Sequence, residues 1–164
     1  MSLAVAVDIG LQLAVEQLLA RYAHCLDDDR LEEWPEFFVE AARYRITTAE
    51  NLERNLPLSI VYADSRAMLR DRVSALRHAN IYEAQRYRHL VSATLVERID
   101  AATVRTVSSF AVVRIMHTGE SLLFASGRYL DRIRLAGERG EPQFEERIVV
   151  LDSRQVDTLL AIPL

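Results

Sequence analysis

The sequence predicts an α+β domain in which helices come first and a long run of strands follows. Three observations carry that prediction. Apolar residues recur at helical spacing in Ile9–Leu26 and again in Ser65–His78. From Tyr87 to Asp152 the chain is rich in β-branched and aromatic residues with partial alternation, the mark of strands. Half of the 164 residues are hydrophobic and there are only five Gly and four Pro, so one domain spanning 1–164 can bury a sizeable core.

Each element has its own signal. In Ile9–Leu26 the stripe Leu11, Val15, Leu18, Tyr22 and Leu26 defines a buried face, and Asp8 is placed to cap the helix. Asp27-Asp28-Asp29 ends it, because three short carboxylates oppose the dipole of a helix C-terminus. Leu31–Phe38 reads as a second, short helix carrying Trp34, Phe37 and Phe38 toward the core, and Ala42–Thr47 as a short strand. Thr48–Asp64 reads as irregular, with Pro57 barring a long helix.

Ser65–His78 is an amphipathic helix built on Leu69, Val73 and Leu76, and Asn80-Ile81-Tyr82 is its exit. Four strands follow, Tyr87–Ile99, Thr103–His117, Ser121–Leu135 and Gln143–Asp152. Thr118-Gly119 supplies a tight hairpin turn and Gly137–Pro142 a wider one, so these strands read as an antiparallel meander. Leu159–Ile162 is a candidate last strand, and the uncharged ending Leu159–Leu164 is expected to be tucked away or held between subunits.

Composition excludes several classes. A formal net charge of -4 argues against a nucleic-acid binder. All twenty basic residues are arginine, forked donors suited to carboxylates at interfaces. The single cysteine, Cys25, permits no internal disulfide and points to a reducing cytoplasm. No apolar run reaches membrane-spanning length, and Met1–Ile9 lacks the basic start of a signal peptide. There is no Gly-rich phosphate loop and no nucleophile elbow.

A resemblance adds to these readings. Its residues are Glu33-Trp34-Pro35-Glu36-Phe37-Phe38, Tyr62-Ala63-Asp64-Ser65, Met68-Leu69-Arg70-Asp71-Arg72 and Arg86-Tyr87-Arg88-His89. The blocks Arg114-Ile115-Met116-His117-Thr118-Gly119-Glu120, Phe124-Ala125-Ser126-Gly127 and Leu160-Ala161-Ile162-Pro163-Leu164 continue it. Together they make the chain resemble the small (β) subunit of aromatic-ring-hydroxylating dioxygenases, most like the terephthalate 1,2-dioxygenase small subunit, with salicylate and anthranilate relatives next. The resemblance implies the cone-shaped nuclear-transport-factor-2-like fold, N-terminal helices packed in a curved antiparallel sheet. It also implies a homotrimer core joined to three large (α) subunits. Those would carry the Rieske iron–sulfur centre and the mononuclear iron, leaving this chain as a scaffold without a cofactor. One cysteine rules out a Rieske centre of two Cys and two His here. His24, His78, His89 and His117 are scattered without the spacing of a metal site.

One pair of residues keeps a second possibility open. Cone-shaped folds also host cofactor-free dehydratases, isomerases and cyclases. In those an acidic residue at the end of the first helix faces a histidine on a central strand, and Asp27 and His89 occupy such places. A carboxylate would set the imidazole tautomer for acid–base work, with Tyr22, Tyr44 and Tyr129 lining the same cavity. Otherwise the pair is a buried polar tie that simply satisfies itself. Arg70, Arg72, Arg86 and Arg88, with Arg77, read as contacts to a partner subunit. Cys25 reads as a small hydrophobe.

Overall fold

A computed structural model describes residues 8–78, 84–154 and 162–164. Helix α1 (Ile9–Asp27) begins where Asp8 Oδ1 accepts the Leu11 N–H at 3.0 Å, and it buries Val15, Leu18, Tyr22 and Leu26. Its end follows from the acidic run, with Asp28 as the C-cap and Asp29 in the left-handed region (φ 57°). The expected second helix is shorter and tighter than its sequence suggests. Trp34–Phe37 forms a single 3-10 turn with Pro35 in its first positions. Phe38 already opens strand β1 (Phe38–Thr48), longer at its start than the Ala42–Thr47 read from the sequence. Trp34 and Phe38 are fully buried, and their edge-to-face contacts with each other and with Tyr44 fix this corner.

The stretch expected to be irregular holds two short elements. Thr48 caps α2 (Ala49–Glu53) by accepting the Asn51 N–H, and β2 (Val61–Ala63) pairs with β1. Helix α3 (Arg66–His78) follows, burying the expected Leu69, Val73 and Leu76, and Arg66 besides. The proposed exit at Asn80–Tyr82 lies outside the described residues. The long strands are β3 (Gln85–Arg98), β4 (Thr103–Met116), β5 (Ser121–Arg134) and β6 (Gln143–Leu151), each within two residues of the sequence reading. Gly119 (φ 89°) turns the β4–β5 hairpin, a conformation only glycine takes without strain.

The six strands run in the order β2-β1-β6-β5-β4-β3. The sheet is mixed, which corrects the all-antiparallel expectation. β1 pairs with β6 in parallel while every other pair is antiparallel. The alternation within each strand could not reveal this, because β1 and β6 meet only after the whole meander has folded back. Close approach within the sheet is set at Gly127, where a Cβ would stand 1.9 Å from the Val150 carbonyl oxygen. Helices α1 and α3 pack their apolar faces into one core with the inward side chains of the curved sheet. Of the last candidate strand, Ile162 forms a bend and the rest lies outside the described residues.

Candidate functional site

The end of α1 and the start of β3 bring Asp27 and His89 together. The His89 main-chain N–H donates to both Asp27 carboxylate oxygens, at 3.0 and 3.1 Å, and ring Nδ1 lies 2.6 Å from Oδ1. Arg88 Nη1 adds a looser contact at 3.5 Å. The two side chains are 0 % and 2 % exposed, so this is a buried tie between helix and edge strand. With Nδ1 against Asp27, the other ring nitrogen, Nε2, has no hydrogen-bond partner among the described residues. Ala20, Ala23, His24 and Val91 line a groove of about 570 Å³ that runs along α1 and β3 over the pair. Chemically, the arrangement supplies one oriented imidazole beneath an open groove.

Tyr22, Tyr44 and Tyr129 are at most 1 % exposed and belong to the core cluster. The hydroxyls of Tyr22 and Tyr44 both donate to the main-chain oxygen of Leu164 at 2.9 Å, and Leu164 N–H donates to the Tyr44 hydroxyl at 3.1 Å. Burial pushes the Tyr44 hydroxyl well above the ordinary tyrosine range. Of the apolar ending, Ile162 and Leu164 are buried as expected, and Leu159–Ala161 lie outside the described residues.

Sequence reasoning missed a fully enclosed pair of charges. Arg147 and Asp131 form a two-pronged pair, Nε to Oδ1 at 2.9 Å and Nη2 to Oδ2 at 2.7 Å, with both side chains fully buried. The guanidinium lies 4.0–4.2 Å from the ring centres of Tyr129, Phe144 and Tyr22. Burial pushes the Asp131 carboxyl above its ordinary value against the pull of Arg147. For Arg147 burial acts the other way, but the carboxylate outweighs it and holds the guanidinium charged. The signal was present: Asp131 and Arg147 are charged residues at inward positions of two strands, and they face each other in register.

The arginines divide by partner. Arg70 pairs with Glu36 at 2.9 Å, and Arg77 bridges Glu32 and Asp29. Arg86 and Arg88 are exposed on β3 and Arg72 is half-buried on α3. Arg66, not singled out by sequence, is the buried hub of this surface: it donates to the Phe38 carbonyl and pairs with Glu138, with Glu36 and Glu40 nearby. Burial pushes the Cys25 thiol up to about 11, fitting a packed hydrophobe. Among the described residues no group of three or more His, Cys, Asp or Glu is placed to hold a metal ion. No described helix is long and apolar enough to cross a membrane.

Comparison with known proteins agrees with this geometry. The profile of the family described as "Ring hydroxylating beta subunit" matches residues 21–158. The chain is 44 % identical over 153 residues to a terephthalate 1,2-dioxygenase terminal oxygenase subunit β of Comamonas sp., covering 93 % of this chain and 98 % of that one. It is 38 % identical to the anthranilate 1,2-dioxygenase small subunit of Burkholderia cepacia, covering 96 % of each. The crystal structure of an aromatic-ring-hydroxylating dioxygenase β subunit from Novosphingobium aromaticivorans superposes with a TM-score of 0.85 at 36 % identity, over 94 % of this chain and 97 % of that one. The fold is the nuclear-transport-factor-2-like cone. The matched residues include the whole sheet, α3 and the Asp27–His89 and Asp131–Arg147 pairs, and the chain belongs to the family of ring-hydroxylating dioxygenase β subunits.

Proposed function

We propose that this chain is the structural small subunit of a dioxygenase that hydroxylates an aromatic carboxylate, terephthalate first in order and salicylate or anthranilate next. In this reading the whole of 1–164 is one scaffold unit of a cytoplasmic complex. It forms a homotrimer core and holds the large subunits, which carry the Rieske centre and the mononuclear iron. The carrying observation is the 44 % identity along nearly the full length of both chains. The fate of the polar core supports it. Several of the groups that an interior acid–base enzyme would present to a substrate are engaged in ties of the chain to itself: Asp27 to His89 Nδ1, Tyr22 and Tyr44 to Leu164, and Asp131 to Arg147.

The test is reconstitution. The large subunit is expressed with and without this chain, and terephthalate hydroxylation is followed with a reductase present. Hydroxylation is expected only when both subunits assemble, and His89→Ala is expected to retain it. Full assembly with all turnover lost in His89→Ala would sink the scaffold reading and turn attention to the Asp27–His89 pair as an acid–base site.

A further inference from the structure

The turn between β5 and β6 is held down by charge. Between Leu135 and Phe144 no side chain belongs to the core cluster. Three side chains of the turn reach three different parts of the fold instead. Glu138 pairs with Arg66 of α3 and accepts the Glu40 main-chain N–H of β1 at 3.0 Å. Arg139 pairs with Glu36 of the 3-10 turn at 2.7 Å, and Glu141 with Arg21 of α1 at 3.2 Å. The turn also closes on itself: the Gly137 N–H donates to the Glu141 carbonyl at 2.8 Å, and Gly140 takes a φ of 75°. At its base Gln143 is the anchor, accepting the Glu138 N–H and donating to the Glu36 and Phe38 carbonyls.

Exposed pairs such as Arg21–Glu141 and Arg139–Glu36 contribute little each. Arg66 differs, because its side chain is only 7 % exposed and a buried guanidinium without a carboxylate is costly. The surroundings of Arg66 remove that cost. Glu40 Oε2 stands 3.7 Å and Glu36 Oε2 3.9 Å from Arg66 Nη1. Glu36 Oε2 is also the atom that Arg139 holds, so lifting the turn frees the oxygen that Arg66 then needs. The charges balance either way. With the turn in place, Arg66, Arg70 and Arg139 face Glu36, Glu40 and Glu138. With the turn lifted, one base and one acid leave together, and Arg66 and Arg70 face Glu36 and Glu40.

We infer that the β5–β6 turn is a strap with two positions, released when Arg66 exchanges Glu138 for Glu36 and Glu40. Grooves of about 520 and 360 Å³ lie on either side of the Arg21–Glu141 contact. Arg21, Glu141 and Pro142 line both, so release joins them into one trough along α1, with Leu18 and Phe37 in its floor.

Amide hydrogen exchange of the full chain, with no large subunit present, tests the strap. The reporters are the N–H groups of Glu40, Gly137 and Glu138, whose bonds the turn makes, read against amides of β4. In the wild type their protection is expected to lie at least roughly tenfold below that of β4, and to fall several-fold further at high salt, where exposed pairs are screened. Glu138→Gln keeps the shape but gives up the charge, and should lower the protection of Glu40 and Gly137 about tenfold while β4 is unchanged. Glu40→Gln is the sharper case. It leaves every side-chain tie of the turn intact and removes a carboxylate that receives Arg66 on release, so protection of Gly137 and Glu138 should rise about threefold. Protection that is unchanged or lower in Glu40→Gln overturns the exchange of partners. Reporters as protected as β4 in the wild type, or indifferent to both salt and Glu138→Gln, overturn the strap itself.

Discussion

Among the described residues, the buried carboxylates of Asp131 and Asp27 each hold a nitrogen partner, and their surroundings differ. Asp131 grips Arg147 at the middle of the sheet, with three aromatic rings closing around the guanidinium. Asp27 grips His89 at the junction of a helix end and an edge strand, beneath an open groove, and one ring nitrogen has no hydrogen-bond partner among the described residues. The first pair joins neighbouring strands whose register already matches; the second joins elements 62 residues apart. Enclosure makes the first costly to break and unavailable to any ligand. Position makes the second cheaper to break and sets it beside the larger groove.

The largest effect should come from breaking the enclosed pair on one side only. Asp131→Ala leaves a fully buried guanidinium uncompensated and should cost about 3–5 kcal/mol of unfolding free energy in urea. Adding Arg147→Met should recover much of that loss, because the charge left stranded is then gone. A double variant as unstable as the sum of the singles would show that the aromatic box, and not the pairing, sets the cost. The helix-to-strand tie should cost less. Asp27→Asn keeps the shape but gives up charge-assisted bonds to His89, worth roughly 1.5–3 kcal/mol. Tyr44→Phe removes two hydrogen bonds to Leu164 and should cost about 1–2 kcal/mol on the same measurement.

The same contrast explains what could be read from sequence. Helices α1 and α3 and the four long strands were legible because one-sided burial leaves a period in the chain. Asp27 and His89 were found because an acidic helix end and a lone strand histidine stand out locally. Asp131 and Arg147 were passed over because a charge inside a strand looks like a solvent-facing residue until register sets it opposite its partner. The parallel β1–β6 pairing and the 3-10 turn at Trp34 have the same origin: each is decided by packing between distant segments. The hydrogen bonds of Tyr22 and Tyr44 to Leu164 were not legible, since only the fold brings residues 120 and 142 positions apart together.

Away from the core, a broader but weaker effect follows from pH. Hydrogen bonds from arginine hold Glu32 (to Arg77), Glu36 (to Arg70) and Glu138 (to Arg66) below the ordinary value of 4.5. A carboxylate whose pKa is depressed by folding contributes stability that is fully present above its unfolded value and lost as pH falls through the folded one. These groups should therefore leave the urea midpoint unchanged from neutral pH down to 4.5 and lower it below. The Asp131 carboxyl, raised on folding, acts in the opposite sense just above its ordinary value of 3.8, so it blunts the acid loss. Repeating the titration with Glu36→Gln should flatten part of the acid limb, and an unchanged limb would show that these pairs do not persist in solution.

The smallest effect on stability is expected at Arg70, and it separates a surface pair from a partner contact. Arg70 is half exposed and Glu36 also pairs with Arg139, so Arg70→Ala should leave the urea midpoint almost unchanged. If Arg70 reaches the large subunit, as its place on the arginine-rich face of α3 suggests, the same change should weaken co-sedimentation with that subunit several-fold. Both can be measured on one preparation. An intact complex with intact stability would return Arg70 to the solvated surface and leave Arg86 and Arg88 on the exposed β3 edge as the arginines to test next.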